Sequence, residues 1–240
     1  MTSVRRLLSP VSPRRWPDLL GKMLPDTQRY ALLFRLRYNA WRFHAKIDVD
    51  IHKSVVIGKH VIIEVKPWST NRLRVGANST IGDYVRLRLR NGSIELGEEV
   101  DIRGGVVLNI GGGSLVMDGC NNLGWGTVVH CAESVHMSRF AHAGEYVTIV
   151  DSSHYYSAPD EWSYLNSRTA PIDLGVDVWL CPKTTVTSGV TIGHHTIVAS
   201  DTVVVKDVPP GVLVSGVPAK VVRELDLPWL ERDGSGAESA

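Results

Sequence analysis

The chain has 240 residues, with 26 Lys and Arg against 25 Asp and Glu, three cysteines and 22 glycines. A net charge of +1 argues against a nucleic-acid-binding protein. No run approaches the ~18 apolar residues of a membrane span, and three unpaired-looking cysteines (Cys120, Cys131, Cys181) imply no disulfide framework. The first residues are basic but lack an apolar signal core, so the chain reads as cytoplasmic. This length holds one domain with an elongated core or two small ones.

Residues 1–46 stand apart. The first fifty residues carry ten Lys and Arg against four Asp, a surplus of six positive charges. Prolines at 10, 13, 17 and 25 break the first half, and Asp26 or Thr27 can cap a helix running to about Ala45. Tyr30, Leu33, Phe34, Arg37, Trp41 and His44 fall at helical spacing. The preferred reading is a helix that packs across an open sheet end. The other is a basic amphipathic segment making peripheral contact with a membrane surface.

From residue 47 a different period sets in. Ile57-Gly58 and Ile62 are early anchors, and Val75, Ile81 and Leu87 are clearer ones. Leu96, Ile102 and Leu108 lie on a frame shifted by three, with Asn91-Gly92 suited to a turn insertion. Gly111-Gly112-Gly113 suits a second insertion; it is a weak phosphate loop, because no helix pattern follows. Leu123, Val129, Val135, Ala141 and Val147 restore the period. It vanishes over 152–170, a segment bearing Tyr155, Tyr156, Pro159, Trp162 and Tyr164, which reads as an extruded loop able to line a sugar site or to pin a neighbouring subunit.

The period is sharpest at the end. Leu174, Leu180, Val186, Ile192, Val198 and Val204 recur every six residues without a slip, with smaller Val178, Thr184, Val190, Thr196 and Thr202 two positions before. Helical neighbours fall three and four apart, and a plain strand alternates by two. A fixed six-residue repeat predicts an all-β, parallel β-helix, in which each hexad is a short strand plus a turn and inward aliphatics stack coil upon coil.

Three stretches carry a resemblance: Thr169-Ala170-Pro171-Ile172; Val178-Trp179-Leu180; and the run from Val203 through Lys206-Asp207-Val208-Pro209-Pro210 to Ser215-Gly216-Val217-Pro218-Ala219-Lys220 and Arg223-Glu224. The sequence resembles the hexapeptide-repeat acyltransferases over roughly Val75 to Glu224, and within them the branch that acetylates sugars. The resemblance implies a left-handed β-helix, a homotrimer with sites between subunits, and direct transfer from acetyl-CoA to a hydroxyl of a sugar or polysaccharide precursor.

Residue by residue, it implies that His154, at the junction of coil and loop, is the general base. Neutral imidazole suits the role because it titrates near neutrality. Asp151, Tyr155 and Tyr156 are assigned to the acceptor side, Asp151 also being placed to orient the ring. Ser200 and Val205 would meet the pantetheine arm. Lys206, Lys220 and Arg223 would meet the phosphates of coenzyme A, and Trp179 would stand near the reacting centre. Cys131 and Cys181 read as packing rather than nucleophiles.

Two departures bear on the donor. Leu180-Cys181-Pro182 stands where the family often has Ile-Gly, and Ala199-Ser200-Asp201-Thr202 where it often has Gly-Ala-Gly-Ser. Asp201 adds bulk and negative charge near an anionic ligand. Other acyl donors, an amino-sugar acceptor, or a non-catalytic trimeric scaffold are the alternatives. His130, His136 and His142 recur six apart and invite a zinc reading, but residues six apart project from successive faces of a three-sided coil, so no metal is expected. The domains are then 1–46, a basic segment with one helix; 47–224, the β-helix with its loop 152–170; and 225–240, an arm and a polar, disordered tail.

Overall fold

The computed structural model describes residues 25–156, 162 and 166–227. The expected polar tail, the first residues, Pro159 and Tyr164 lie outside them. Among the described residues one helix, α1 (Pro25–Arg42), precedes a solenoid of three parallel sheets. The first face runs from Lys46–Ile51 to Thr191–Ile192, the second from Val56–Ile57 to Lys220–Glu224, and the third from Ile62–Val65 to Val203–Val204. Each coil contributes one strand to each face. The chain ends by turning Lys220–Glu224 back antiparallel to Val212–Ser215 on the second face.

The hexad frame is the core. Leu174, Leu180, Val186, Ile192, Val198 and Val204 are buried, as are all five residues two positions before them. The threonines among these are satisfied inside: the Thr184 hydroxyl donates to the Cys181 carbonyl at 2.7 Å and that of Thr196 to the Pro209 carbonyl at 3.0 Å. Turn residues take the left-handed conformation, including Tyr84, Tyr146, Lys183 and Asp201 at the corner between the second and third faces. Such φ values strain an L-residue, and interturn bonds hold them: Tyr146 N–H donates to Trp125 and Lys183 N–H to Glu145, both at 2.8 Å.

The repeat is not uniform. Along the first face Ile51 lies beside Val75, then come Leu96, Met117, Met137, Leu174 and Ile192, so successive coils take 24, 21, 21, 20, 37 and 18 residues. The excess in the early coils sits in longer strands and at the corner between third and first faces, where Asn91-Gly92 and the three glycines at 111–113 lie. The 37-residue coil contains the extruded segment.

Three expectations are corrected. Ile62 is 42% exposed and its neighbour Ile63 faces the core, because Ile63, six residues after Ile57, is the one that keeps the repeat. Past Val129 the residues equivalent to Leu174, Leu180 and Val186 are Met137, Ala143 and Ile149, whereas Val135 stands beside Ile172. Both sets are buried, since alternate strand residues point inward. Lastly, α1 covers the first coil as a cap, but with Leu32 and Leu36 rather than its aromatic stripe; Tyr30, Phe34 and Trp41 face outward. Arg29 donates to the Ile51 carbonyl and Asn39 to that of Ile63, tying the helix across the coil. It ends at Arg42, with His44 left-handed behind it.

Candidate active site

The extruded segment leaves the corner between third and first faces as a hairpin, Ser152–His154 antiparallel to Ser167–Thr169. At its neck one carbonyl organises two groups. The Asn166 oxygen accepts from Tyr155 N–H at 3.3 Å and lies 3.2 Å from Nδ1 of His154. A carbonyl only accepts, so Nδ1 carries the proton and the lone pair of the neutral ring sits on Nε2. His154 is exposed. Beside it the Arg168 guanidinium lies 4.2 Å from the centre of the Tyr155 ring, fixing that ring across the hairpin. Tyr156 and Trp162 are exposed.

Asp151 does not belong to this surface. It is fully buried, and its carboxylate accepts from the backbone N–H groups of Ala132, Glu133 and Ser134 at 2.7–3.0 Å. Its own carbonyl accepts from Ala170 N–H, where the chain re-enters the coil. The residue plugs the corner of the preceding coil and anchors the hairpin base; it neither reaches an acceptor nor presents a carboxylate oxygen to the His154 ring. Burial, then the Asp151 charge, pushes the thiol of Cys131 up to about 12. Burial also raises Cys181, and burial followed by Glu99 raises Cys120. None of the three is poised as a thiolate.

The expected coenzyme A residues fall into three groups. Val205 and Lys206 are exposed at the hairpin's own corner, two coils further on, about 10 Å by strand spacing. Ser200 and Lys220 are exposed near the corner between second and third faces, where Lys220 pairs with Ser215. Trp179 and Arg223 stand in one outward column of the second face, His142–Trp179–Ile197–Leu213–Arg223, each beside the next. The Trp179 and His142 rings meet edge to face at 6.2 Å. In a three-sided prism the second face lies opposite the corner that bears His154, so within one chain these groups point away from each other.

Asp201 occupies an ordinary place. Its φ of 57° matches Lys183 and Tyr146 at the same turn position, its side chain leaves the corner outward, and Lys183 Nζ approaches it at 4.0 Å. His130, His136 and His142 project from the third, first and second faces and diverge. Two polar clusters were missed from the sequence. His136 stands between Asp118 (Nε2 to Oδ2, 3.1 Å) and Asp173 (Nδ1 to Oδ2, 3.4 Å), and His195 Nδ1 lies 3.0 Å from Asp177. Asp177 and His195 are one 18-residue coil apart, so the period itself marks them as neighbours.

No protein-family model matches the chain. Galactoside O-acetyltransferase of Escherichia coli is 39% identical over 56 residues, 23% of this chain and 28% of that enzyme. A Mycobacterium tuberculosis protein named "Probable acetyltransferase" is 27% identical over 192 residues, 78% of this chain and 55% of its own length. Both relatives are named as acetyltransferases, and with the repeat described above the chain resembles the hexapeptide-repeat acyltransferases. It spans about half or less of the length of these curated relatives. Among solved structures, a mutant of AntD, an N-acyltransferase from Bacillus cereus in complex with dTDP and coenzyme A, aligns at 17% identity and TM-score 0.50, covering 80% of this chain and 89% of that one. At that identity the likeness is one of fold, and the solenoid of this hexapeptide-repeat protein is a left-handed β-helix.

Proposed function

We propose that the protein transfers an acetyl group from acetyl-CoA to a hydroxyl of a sugar or polysaccharide precursor, with His154 as general base, in a homotrimer whose sites lie between subunits. The observation that carries this reading is the His154–Asn166 contact, which fixes the tautomer a base needs. Nε2 takes the hydroxyl proton as the oxygen attacks the thioester carbon; the carbon–sulfur bond breaks, and the proton passes to the departing thiolate, giving an ester and free coenzyme A. The names of the relatives support acetyl transfer.

The arrangement of the donor residues supports the trimer. The column from Trp179 to Arg223 offers a ring, two aliphatic side chains and a guanidinium in line, suited to a thioester, a pantetheine arm and a phosphate respectively. It faces away from its own His154. Packing the hairpin corner of one prism against the second face of its neighbour brings the two together, and a cyclic trimer closes that contact.

The test is release of free thiol from acetyl-CoA over a panel of sugars, alongside calorimetric binding of acetyl-CoA. Sugar-dependent release with binding is the expected result. Binding with release only for amino sugars would move the reading to N-acylation. No binding by an assembled trimer would leave a scaffold.

A further inference from the structure

The sequence offered two roles for the N-terminal helix, and the structure assigns them to opposite faces. At 100° per residue Leu32, Leu36, Asn39 and Phe43 share the side that covers the first coil. Tyr30, Phe34, Tyr38 and Trp41 share the other, exposed by 64, 72, 46 and 74%. Trp68, 77% exposed, extends this aromatic surface: its ring stacks on His44 at 4.7 Å and its backbone N–H donates to the Phe43 carbonyl. Exposed Arg35, Arg37 and Arg42 flank the stripe, and no Asp or Glu occurs from Thr27 to Ile47. The carboxylates of the first coil are already held by arginines of the second: Asp48 and Asp50 by Arg74, and Glu64 by Arg88. From Thr27 onward the outer face of α1 is therefore aromatic and cationic, with Asp26 at its start the one carboxylate in the helix sequence.

We propose that this face seats on the surface of an anionic lipid bilayer, the rings entering the headgroup region and the guanidinium groups meeting lipid phosphates. Rings with amphipathic edges suit that layer, and arginines suit phosphate oxygens. The cap and the membrane contact then coexist, because they use different sides of one helix. The proposal rests on the helix alone and is independent of the acetyl-transfer reading.

The experiment is sedimentation of the full chain with vesicles of phosphatidylcholine alone and with about a third phosphatidylglycerol. Binding to the anionic vesicles, weakening with salt, is expected. Phe34→Ser with Trp41→Ser should lower partitioning by about tenfold or more, and Arg35→Gln with Arg42→Gln should remove the preference for anionic vesicles. Both variants should melt like the parent, since the changed side chains face outward. Residues 1–24 are present throughout, so loss in these variants assigns binding to the helix. Equal binding by parent and variants, or no anionic preference in the parent, would overturn the proposal. So would a parent that ignores vesicles but self-associates through the stripe, shown by smaller assemblies of the aromatic variant.

Discussion

Nδ1 of His154 lies 3.2 Å from the backbone carbonyl of Asn166 across the neck of the hairpin, twelve residues further along the chain. The main chain thus takes part in orienting this ring. With Nδ1 on that carbonyl, Nε2 is the atom that would take a proton in the proposed general-base role.

His154→Ala should therefore lower sugar-dependent thiol release by about 10²–10⁴-fold. Acetyl-CoA binding should be kept, because the column proposed for the donor lies on another face. Parallel turnover and calorimetry check this; full activity in the variant would exclude the general-base role.

Trp179 and His154 project from opposite sides of the prism, which allows a test of the proposed intersubunit site. Two inactive variants, His154→Ala and Trp179→Ala, should complement when coexpressed. If each site takes one corner and one face from different chains, random mixing gives about a quarter of the sites both parental parts. Activity well above either variant, with mixed trimers verified by mass, is expected. No recovery would place both groups in one chain's site.

Much of this was legible because the coils between Leu174 and Val204 take 18 residues each, three hexads, so a six-residue period survives intact there. The early coils spend extra residues at one corner, so a strict frame drifts from coil to coil there. Within the first coil it still holds, since Ile51, Ile57 and Ile63 lie six apart and are buried, and Ile62 is one residue off it. On α1 the spacing marks both a leucine stripe and an aromatic stripe, and periodicity alone does not say which is inward; the shape of the first coil decides. Asp151 looked like site chemistry because it sits three residues from His154. Its partners, Ala132 to Ser134, are a coil away, and nothing in the local sequence announces a corner that needs a buried acceptor. The hairpin itself was visible only as a lapse in the repeat.

Asp151 yields a stability prediction. Its carboxylate serves three backbone donors, and an amide in its place turns an N–H₂ group toward N–H groups. Asp151→Asn should destabilise the fold by about 1–3 kcal/mol, measured by denaturant unfolding. It should also ease alkylation of Cys131, since the Asp151 charge is one of the two largest influences holding that thiol up. Unchanged stability would mean the corner does not need an anion.

His136 gives the pH dependence. Burial pulls its pKa down, but Asp118 on one side and Asp173 on the other outweigh it, so the folded-state value is raised above the usual 6.5. A raised histidine contributes stability that is fully present below the unfolded pKa and is lost as pH climbs through the folded one. The parent protein should therefore lose stability as pH rises from about 6.5 into the alkaline range. His136→Gln keeps a polar group between the two aspartates but cannot charge, so its profile should be flatter over that window. Unfolding midpoints of both proteins at acid, neutral and alkaline pH decide the matter. Parallel profiles would show that the pair of aspartates does not hold a proton on this ring.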